Sequence, residues 1–186
     1  MSKLFIISGP SGAGKGTLVN MIMEKYNDIF LSISMTTRQP RPGEQEGVNY
    51  YYISTDDFKK RISEDKMLEY AEYCGTFYGT PREPAEKALN DGNSMILEIE
   101  VEGMRQVKAK MPDAVTIFIA PPSIDDLAKR IKKRDPNEKD EVIEKRVARA
   151  QAEMEFTAEY DHMVINDDLE DAFTELSAII AKYIRD

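Results

Sequence analysis

Residues 4–17 read LFIISGPSGAGKGT, and this stretch decides the fold. Residues 4–7 are an apolar run of strand length, and over residues 15–26 Leu18, Met21 and Ile22 recur at helical spacing. Between them Gly9, Pro10, Ser11, Gly12, Ala13, Gly14, Lys15, Gly16 and Thr17 make a glycine loop that joins strand to helix. Glycines let successive backbone N–H groups turn inward around phosphate oxygens. The helix N-terminus adds positive potential, and Lys15 supplies a point charge for terminal phosphates. A turn that merely joined two elements would not explain a lysine beside three spaced glycines, so the loop reads as a phosphate-binding loop for ATP or GTP. The general pattern GxxxxGK[ST] puts a hydroxyl directly after the lysine; here Gly16 intervenes and the hydroxyl arrives at Thr17.

Outward from the loop, residues 95–101, 115–120 and 163–165 read as short buried strands, each followed by helical periodicity ending near Lys110, Lys133 and Tyr183. Strands alternating with helices imply a parallel sheet, hence an α/β fold. Between the first helix and Met95 the pattern changes. Strand candidates at 31–34, 50–53 and 68–73 surround one helix that Thr55 can cap, which predicts an inserted β-rich lobe. Residues 134–140, RDPNEKD, are charged, contain Pro136 and separate two basic helical stretches, as expected of an exposed mobile segment.

A length of 186 residues predicts one domain, and 41% hydrophobic with 32% charged residues predicts an ordinary folded chain. Net charge is −9, which argues against a general affinity for nucleic acid or anionic membrane, so an anionic ligand needs a local basic site. The one cysteine, Cys74, cannot close an internal disulfide, and cytoplasm is the expectation. Residues 4–7 are too few for a signal-peptide core of about 7 to 15, and no segment approaches the ~18 apolar residues of a membrane span, so neither secretion nor membrane insertion is expected. His162, without a second imidazole nearby, reads as structural, and the ten methionines as core filler.

Residues 32–52, SISMTTRQPRPGEQEGVNYYY, bring Arg38 and Arg41 around Pro40, with Pro42 and Gly43 stiffening the loop. Two guanidinium groups there can converge on a phosphate bidentately, and hydroxyls of Ser34 or Tyr50 can complete its shell. In a chain of charge −9, such a pair fits a small phosphorylated acceptor. Glu69, in the strand candidate LEYAEY, and Tyr78 with Thr80, in a segment read as the loop TFYGTPRE, add a carboxylate, a phenol and a hydroxyl.

The ordered set GPSGAGKGT, SxSxTTRxPRPGE, LEYAEYxGxxYGTPRE, ILEIEVEG and YDHMVINDD resembles guanylate kinase along nearly the whole chain. The resemblance implies a P-loop NTPase-type parallel sheet core, residues 1–31, 83–122 and 151–186, with a GMP-binding lobe at 32–82 and a small helical lid at 123–150. It implies the reaction ATP + GMP → ADP + GDP, with dGMP as a further acceptor, in purine nucleotide metabolism and GMP recycling. Position by position, Ser34, Arg38, Arg41, Tyr50 and Tyr78 match positions that hold the phosphate of GMP, and Glu69 and Thr80 match guanine-reading positions. The chemistry agrees, since guanine offers adjacent N1–H and N2–H donors that a carboxylate accepts, and adenine does not. Arg130, Arg134 and Arg146 match arginines that fold over the phosphates, and Asn166 matches a position beside the donor adenine. With Lys15 and Arg38 these arginines neutralise charge on the transferring group.

Four departures stand out. The family usually has Asp where Glu98 and Glu100 stand, and commonly Gln at Glu102. Arg149 has no matching family arginine. The lid tip lacks the glycine that often follows Arg134. Glu100, one methylene longer, is still expected to reach the guanine amino group or a metal-bound water. Mg²⁺, the implied cofactor, is expected to be held through waters and ATP phosphates, with Thr17 or Glu98 as candidate protein contacts. Two rival readings are a non-catalytic guanylate-kinase-like interaction module, against which Lys15 argues, and a kinase acting on a phosphorylated sugar, against which Glu69, Tyr78 and Thr80 argue. Monomer and homodimer both remain open.

Overall fold

A computed structural model describes residues 2–73, 75–134, 136 and 139–184. In chain order the elements are β1 (Leu4–Ser8), α1 (Lys15–Lys25), β2 (Ile29–Leu31), β3 (Met35–Thr36), β4 (Tyr51–Tyr52), α2 (Thr55–Ser63), β5 (Met67–Tyr73), β6 (Thr76–Pro81), α3 (Arg82–Asn90), β7 (Ser94–Glu98), α4 (Val101–Lys110), β8 (Val115–Ala120), α5 (Ile124–Arg134), α6 (Asp140–Met154), β9 (His162–Ile165) and α7 (Leu169–Ile184). A single 3₁₀ turn, Thr157–Glu159, joins α6 to β9.

Five strands make an all-parallel sheet in the order β2-β7-β1-β8-β9. Successive side chains of a strand point to opposite faces, so β1 feeds two cores. Phe5 and Ile7 pack with Leu18, Val19 and Ile22 of α1 and with Ala172, Leu176 and Ile180 of α7. Leu4 and Ile6 pack with Ala85 of α3 and with Met104 and Val107 of α4. Helices on both faces explain why β1 and β8 are mostly apolar rather than alternating, with only Ser8 and Thr116 polar. Burying a Leu or Ile fully contributes roughly 1.5–3 kcal/mol, so the strip Leu18, Val19 and Ile22 holds α1 on the sheet far more firmly than its backbone propensity does.

A second sheet, β4-β3-β6-β5, lies between β2 and α3 in the chain. Its own small core is Met35, Phe58 and Met67, with Phe58 stacked on Phe77 at 5.4 Å between ring centroids. A fourth cluster, Leu127, Ile131, Ile143 and Ala150, joins α5 to α6.

Several expectations are corrected. The strand expected at 31–34 is β2, which ends at Leu31 and belongs to the parallel sheet, while the second sheet takes the two residues of β3 instead. Residues 76–81 of TFYGTPRE are not a loop but β6, antiparallel to β5. The cap of α2 is Ser54, whose Oγ accepts from the Asp57 N–H at 3.1 Å and donates to the Asp57 carboxylate; Thr55 is already helical. The inward residue on α1 is Val19, not Met21, which is half-buried. The strand beginning near Met95 ends at Glu98, and Val101 opens α4. Cys74 and lid-tip residues 135, 137 and 138 lie outside the described residues. Among the described residues no helix is long and apolar enough to cross a membrane. His162 accepts or donates a 2.8 Å hydrogen bond with the Tyr183 hydroxyl, between β9 and α7.

Candidate active site

In an open parallel sheet, ligands bind beyond the carboxyl ends of the strands, where neighbouring connections run to opposite sides. Here that point is the end of β1, between β7 and β8. The loop of residues 9–17 starts there and runs into α1. Gly14 caps α1 in the left-handed region at φ 88°, with no side-chain cap. A Cβ at Gly14 would stand 2.3 Å from Asn166 Nδ2, so the position is closed to any side chain on two grounds. The Asn166 amide donates to the Ala13 carbonyl at 2.7 Å, deep in the protein. Asn166 therefore braces the loop itself. The N-terminus of α7 is capped by Asp168, which accepts from the Glu170 and Asp171 N–H groups.

Lys15 folds back over its own loop, its Nζ donating to the carbonyls of Gly9 at 2.5 Å and Pro10 at 3.2 Å. Burial holds its ammonium below the usual lysine range, against the opposing pull of Glu98, Glu153 and Glu100. Arg146 of α6 donates to Ser11 Oγ at 3.0 Å, so this helix reaches the phosphate loop. Arg134, at the end of α5, is near enough to depress the Lys15 pKa further. Arg130 reaches the Asp167 carbonyl at 3.4 Å, on the segment between β9 and α7. Pro10 and Ala13 are buried, Gly9 and Gly12 half-buried, and Ser11, Gly16 and Thr17 exposed.

On the second sheet, Arg38 is gripped by Glu44: Nη1 donates to Oε2 at 2.7 Å and Nη2 to Oε1 at 2.6 Å. Its guanidinium lies 5.1 Å from the Tyr50 ring centroid and 5.9 Å from that of Tyr52, and Tyr50 meets Tyr78 edge-on. Glu44 also accepts from the Arg41 N–H and the Tyr52 hydroxyl. The Arg38 hydrogen bonds lead in pulling its carboxyl down to about 2. Sequence reasoning did not single out Glu44; an acid directly after the proline–glycine pair of an arginine loop is the signal that points to it. The Arg41 side chain is exposed, and the Ser34 carbonyl accepts from Tyr51 N–H, which ties β4 to the segment that ends β2.

Glu69 stands opposite Thr80 in the β5–β6 register and is 6% exposed. Thr80 Oγ1 donates to Glu69 Oε1 at 2.7 Å. Burial is the largest cause raising the Glu69 pKa, the Thr80 hydrogen bonds oppose it, and the charge of Glu100 adds to it. Room for this carboxylate comes from Gly103 in α4, where a Cβ would stand 2.9 Å from Glu69 Oε2. Glu100, just before α4, and Glu98, at the end of β7, are both exposed, and the field of Glu100 is felt by both Lys15 and Glu69. Glu102 pairs with Arg105 one turn on, away from both groups. Among the described residues no group of three or more His, Cys, Asp or Glu is arranged to hold a metal ion.

The structure thus brings together a phosphate loop at the switch point of a parallel sheet and, on a separate small sheet, an arginine–aromatic cluster beside a buried acid. That is an α/β protein of the P-loop NTPase type with a second, smaller sheet. The guanylate kinase family model matches residues 1–183. The guanylate kinase of Desulfitobacterium hafniense is 48% identical over 95% of this chain and 88% of its own. That of Synechocystis sp. is 46% identical over 97% of this chain and 94% of its own. The crystal structure of guanylate kinase from Anaplasma phagocytophilum superposes with a TM-score of 0.78 at 29% identity, covering all of this chain and 87% of that one. The chain belongs to the guanylate kinase family, a family of kinases whose reaction converts GMP to GDP.

Proposed function

We propose that this chain transfers the γ-phosphoryl group of ATP to GMP, and to dGMP, through the residues just described. The observation that carries the reading is the buried, Thr80-bonded Glu69 carboxylate on the same small sheet as the Arg38–Tyr50–Tyr78 cluster, with the Lys15 loop on the neighbouring sheet. ATP phosphates lie against the loop of residues 9–17, with Arg130 and Asn166 on the donor side. The GMP phosphate is taken by Ser34, Arg38, Arg41, Tyr50 and Tyr78. Its base is read by Glu69, Thr80 and Glu100. None of these groups needs a ribose 2′-hydroxyl, which is why dGMP is included.

An oxygen of the GMP phosphate attacks the γ-phosphorus in line; the new O–P bond forms as the bond to the β-γ bridging oxygen breaks, and ADP departs with the electron pair. No covalent enzyme intermediate is involved. Lys15, Arg38, Arg134 and Arg146 neutralise charge on the transferring group, and positioning supplies the rest. Residues 32–82 act as the acceptor lobe and residues 123–150 as a lid whose closure expels water that would otherwise accept the phosphoryl group. Lys15 exchanges its two loop carbonyls for phosphate oxygens, and Arg38 shares its guanidinium between Glu44 and the acceptor phosphate.

Mg²⁺ suits this donor set as an ion held mainly by substrate phosphates and its own waters. Thr17 lies in the first turn of α1, and Glu98 lies 3.9 Å from where a Cβ of Gly16 would stand, so these two would hold its waters. When bound, the ion supplies further neutralisation of phosphate charge.

The test is ADP release with ATP and Mg²⁺ across a panel of GMP, dGMP, AMP, UMP and ribose phosphates. Turnover with GMP and dGMP alone is expected. Folded, ATP-binding protein that turns over none of them would establish the interaction-module reading instead.

A further inference from the structure

Helix α6 carries Arg146, Arg149 and Glu153 at spacings of three and four residues, which at 100° per residue places them on one face. Arg146 reaches Ser11 in the phosphate loop. Glu153, half-buried, lies within the field of Lys15. Arg149, between them, turns to the acceptor side. Its Nη2 donates to Glu100 Oε2, its Nε donates to Glu153 Oε1 at 3.0 Å, and its guanidinium lies 6.0 Å from the ring centroid of Tyr73. Glu100 precedes α4, the helix that packs its Gly103 on Glu69, and Tyr73 ends β5, the strand that carries Glu69. One side chain thus contacts both elements that frame the buried acid.

We infer that Arg149 is a positioning residue for the acceptor base, acting through Glu100. The inference rests on the reading of Glu69 and Glu100 as guanine-binding groups and goes beyond it. Glu100 is 68% exposed, and a glutamate has one more rotatable bond than an aspartate; holding it costs side-chain entropy that a partner must offset. The Arg149 fork, itself fixed at Nε by Glu153, is that partner. It also sets a positive charge beside Glu100, whose negative field otherwise adds to the burial that disfavours an ionised Glu69. Arg149 and the longer acid at position 100 therefore form one unit: the arginine holds the longer carboxylate where it meets the guanine amino group.

An exposed ion pair of no consequence for the substrate would leave kinetics unchanged, since such pairs contribute about 0–1 kcal/mol to stability and nothing to a KM. The test compares steady-state kinetics of R149M, which keeps the aliphatic stem, R149K, E100Q and R149M/E100Q, with circular dichroism and thermal melts to verify folding. R149M is expected to raise the KM for GMP about three- to tenfold, with kcat and the KM for ATP within about twofold of the parent. R149K recovers most of the loss, because an ammonium still pairs with Glu100. E100Q raises the GMP KM to a similar extent, and R149M adds nothing further on the E100Q background. An unchanged or lowered GMP KM in R149M, an equal rise for ATP, or effects that multiply in the double variant would overturn the inference. Should R149M fail to fold, R149Q and R149Q/E100Q are judged by the same criteria. A parent protein that does not phosphorylate GMP at all removes the functional reading and this inference with it, whereas an active parent with indifferent variants removes only the inference.

Discussion

Replacing Glu69 by Gln should trade affinity for stability, and both sides can be worked from the structure. The carboxylate is 6% exposed and is held by neutral donors of Thr80, chief among them Oγ1. Gln keeps the volume and one acceptor oxygen, so the Thr80 bond survives, but its amide turns a donor toward the guanine N–H pair. Hydrogen bonds to a charged group are worth roughly 1.5–3 kcal/mol, so losing one and leaving donors opposed should cost about 2–3 kcal/mol. At 1.36 kcal/mol per decade that is roughly 30- to 150-fold in GMP affinity, with ATP affinity unaltered. Stability moves the other way. Burial raises the Glu69 pKa above its unfolded value, so the ionised group is destabilising once pH exceeds the folded value, and this penalty disappears as pH falls below the unfolded one. A neutral Gln carries no such penalty. The variant should therefore melt higher at pH 7, each kcal/mol raising Tm by about 2–4 °C in a chain of this size, and the gap should close toward pH 4. Isothermal titration calorimetry with each nucleotide and melts across pH read both effects. Equal losses for GMP and ATP, or a variant that melts lower at neutral pH, would refute the reasoning.

Other expectations follow from the same contacts. Because burial holds Lys15 below the ordinary 10.5, kcat/KM for ATP should fall on an alkaline limb centred below that value, as the ammonium loses its proton; a pH–rate profile flat to pH 10.5 contradicts it. Gly103→Ala should improve helix propensity by about 1 kcal/mol yet raise the GMP KM, because the new methyl displaces Glu69 Oε2; a more stable variant with unaltered GMP kinetics would show that the acid moves aside at no cost. Asn166→Ala leaves the buried Ala13 carbonyl without its donor, which costs about 1–3 kcal/mol and loosens the loop, so the melt should drop and the ATP KM rise while the GMP KM stays near the parent value.

Much of this protein was legible before folding. Residues 4–17 announce strand, phosphate loop and helix because the three signals are local: an apolar run, backbone conformations only glycine tolerates, and a lysine placed at the loop's end. Residues 115–120 coincide with β8, since a strand buried on both faces is mostly apolar; its one polar residue, Thr116, is bonded to Asp161. Short strands were harder. β2 and β3 are three and two residues long, too short for periodicity to say which sheet each joins, and the register that sets Thr80 against Glu69 exists only once β6 pairs with β5.

What the chain alone determines is chemistry at fixed spacing: which groups can bind phosphate, and in what order. What tertiary structure decides is which polar and charged groups meet. Ser11 meets Arg146 across 135 positions, Ala13 meets Asn166 across 153, and Glu100 meets Arg149 across 49. Electrostatic interaction depends on distance through space and on the burial of each partner, and neither quantity is encoded at any single position.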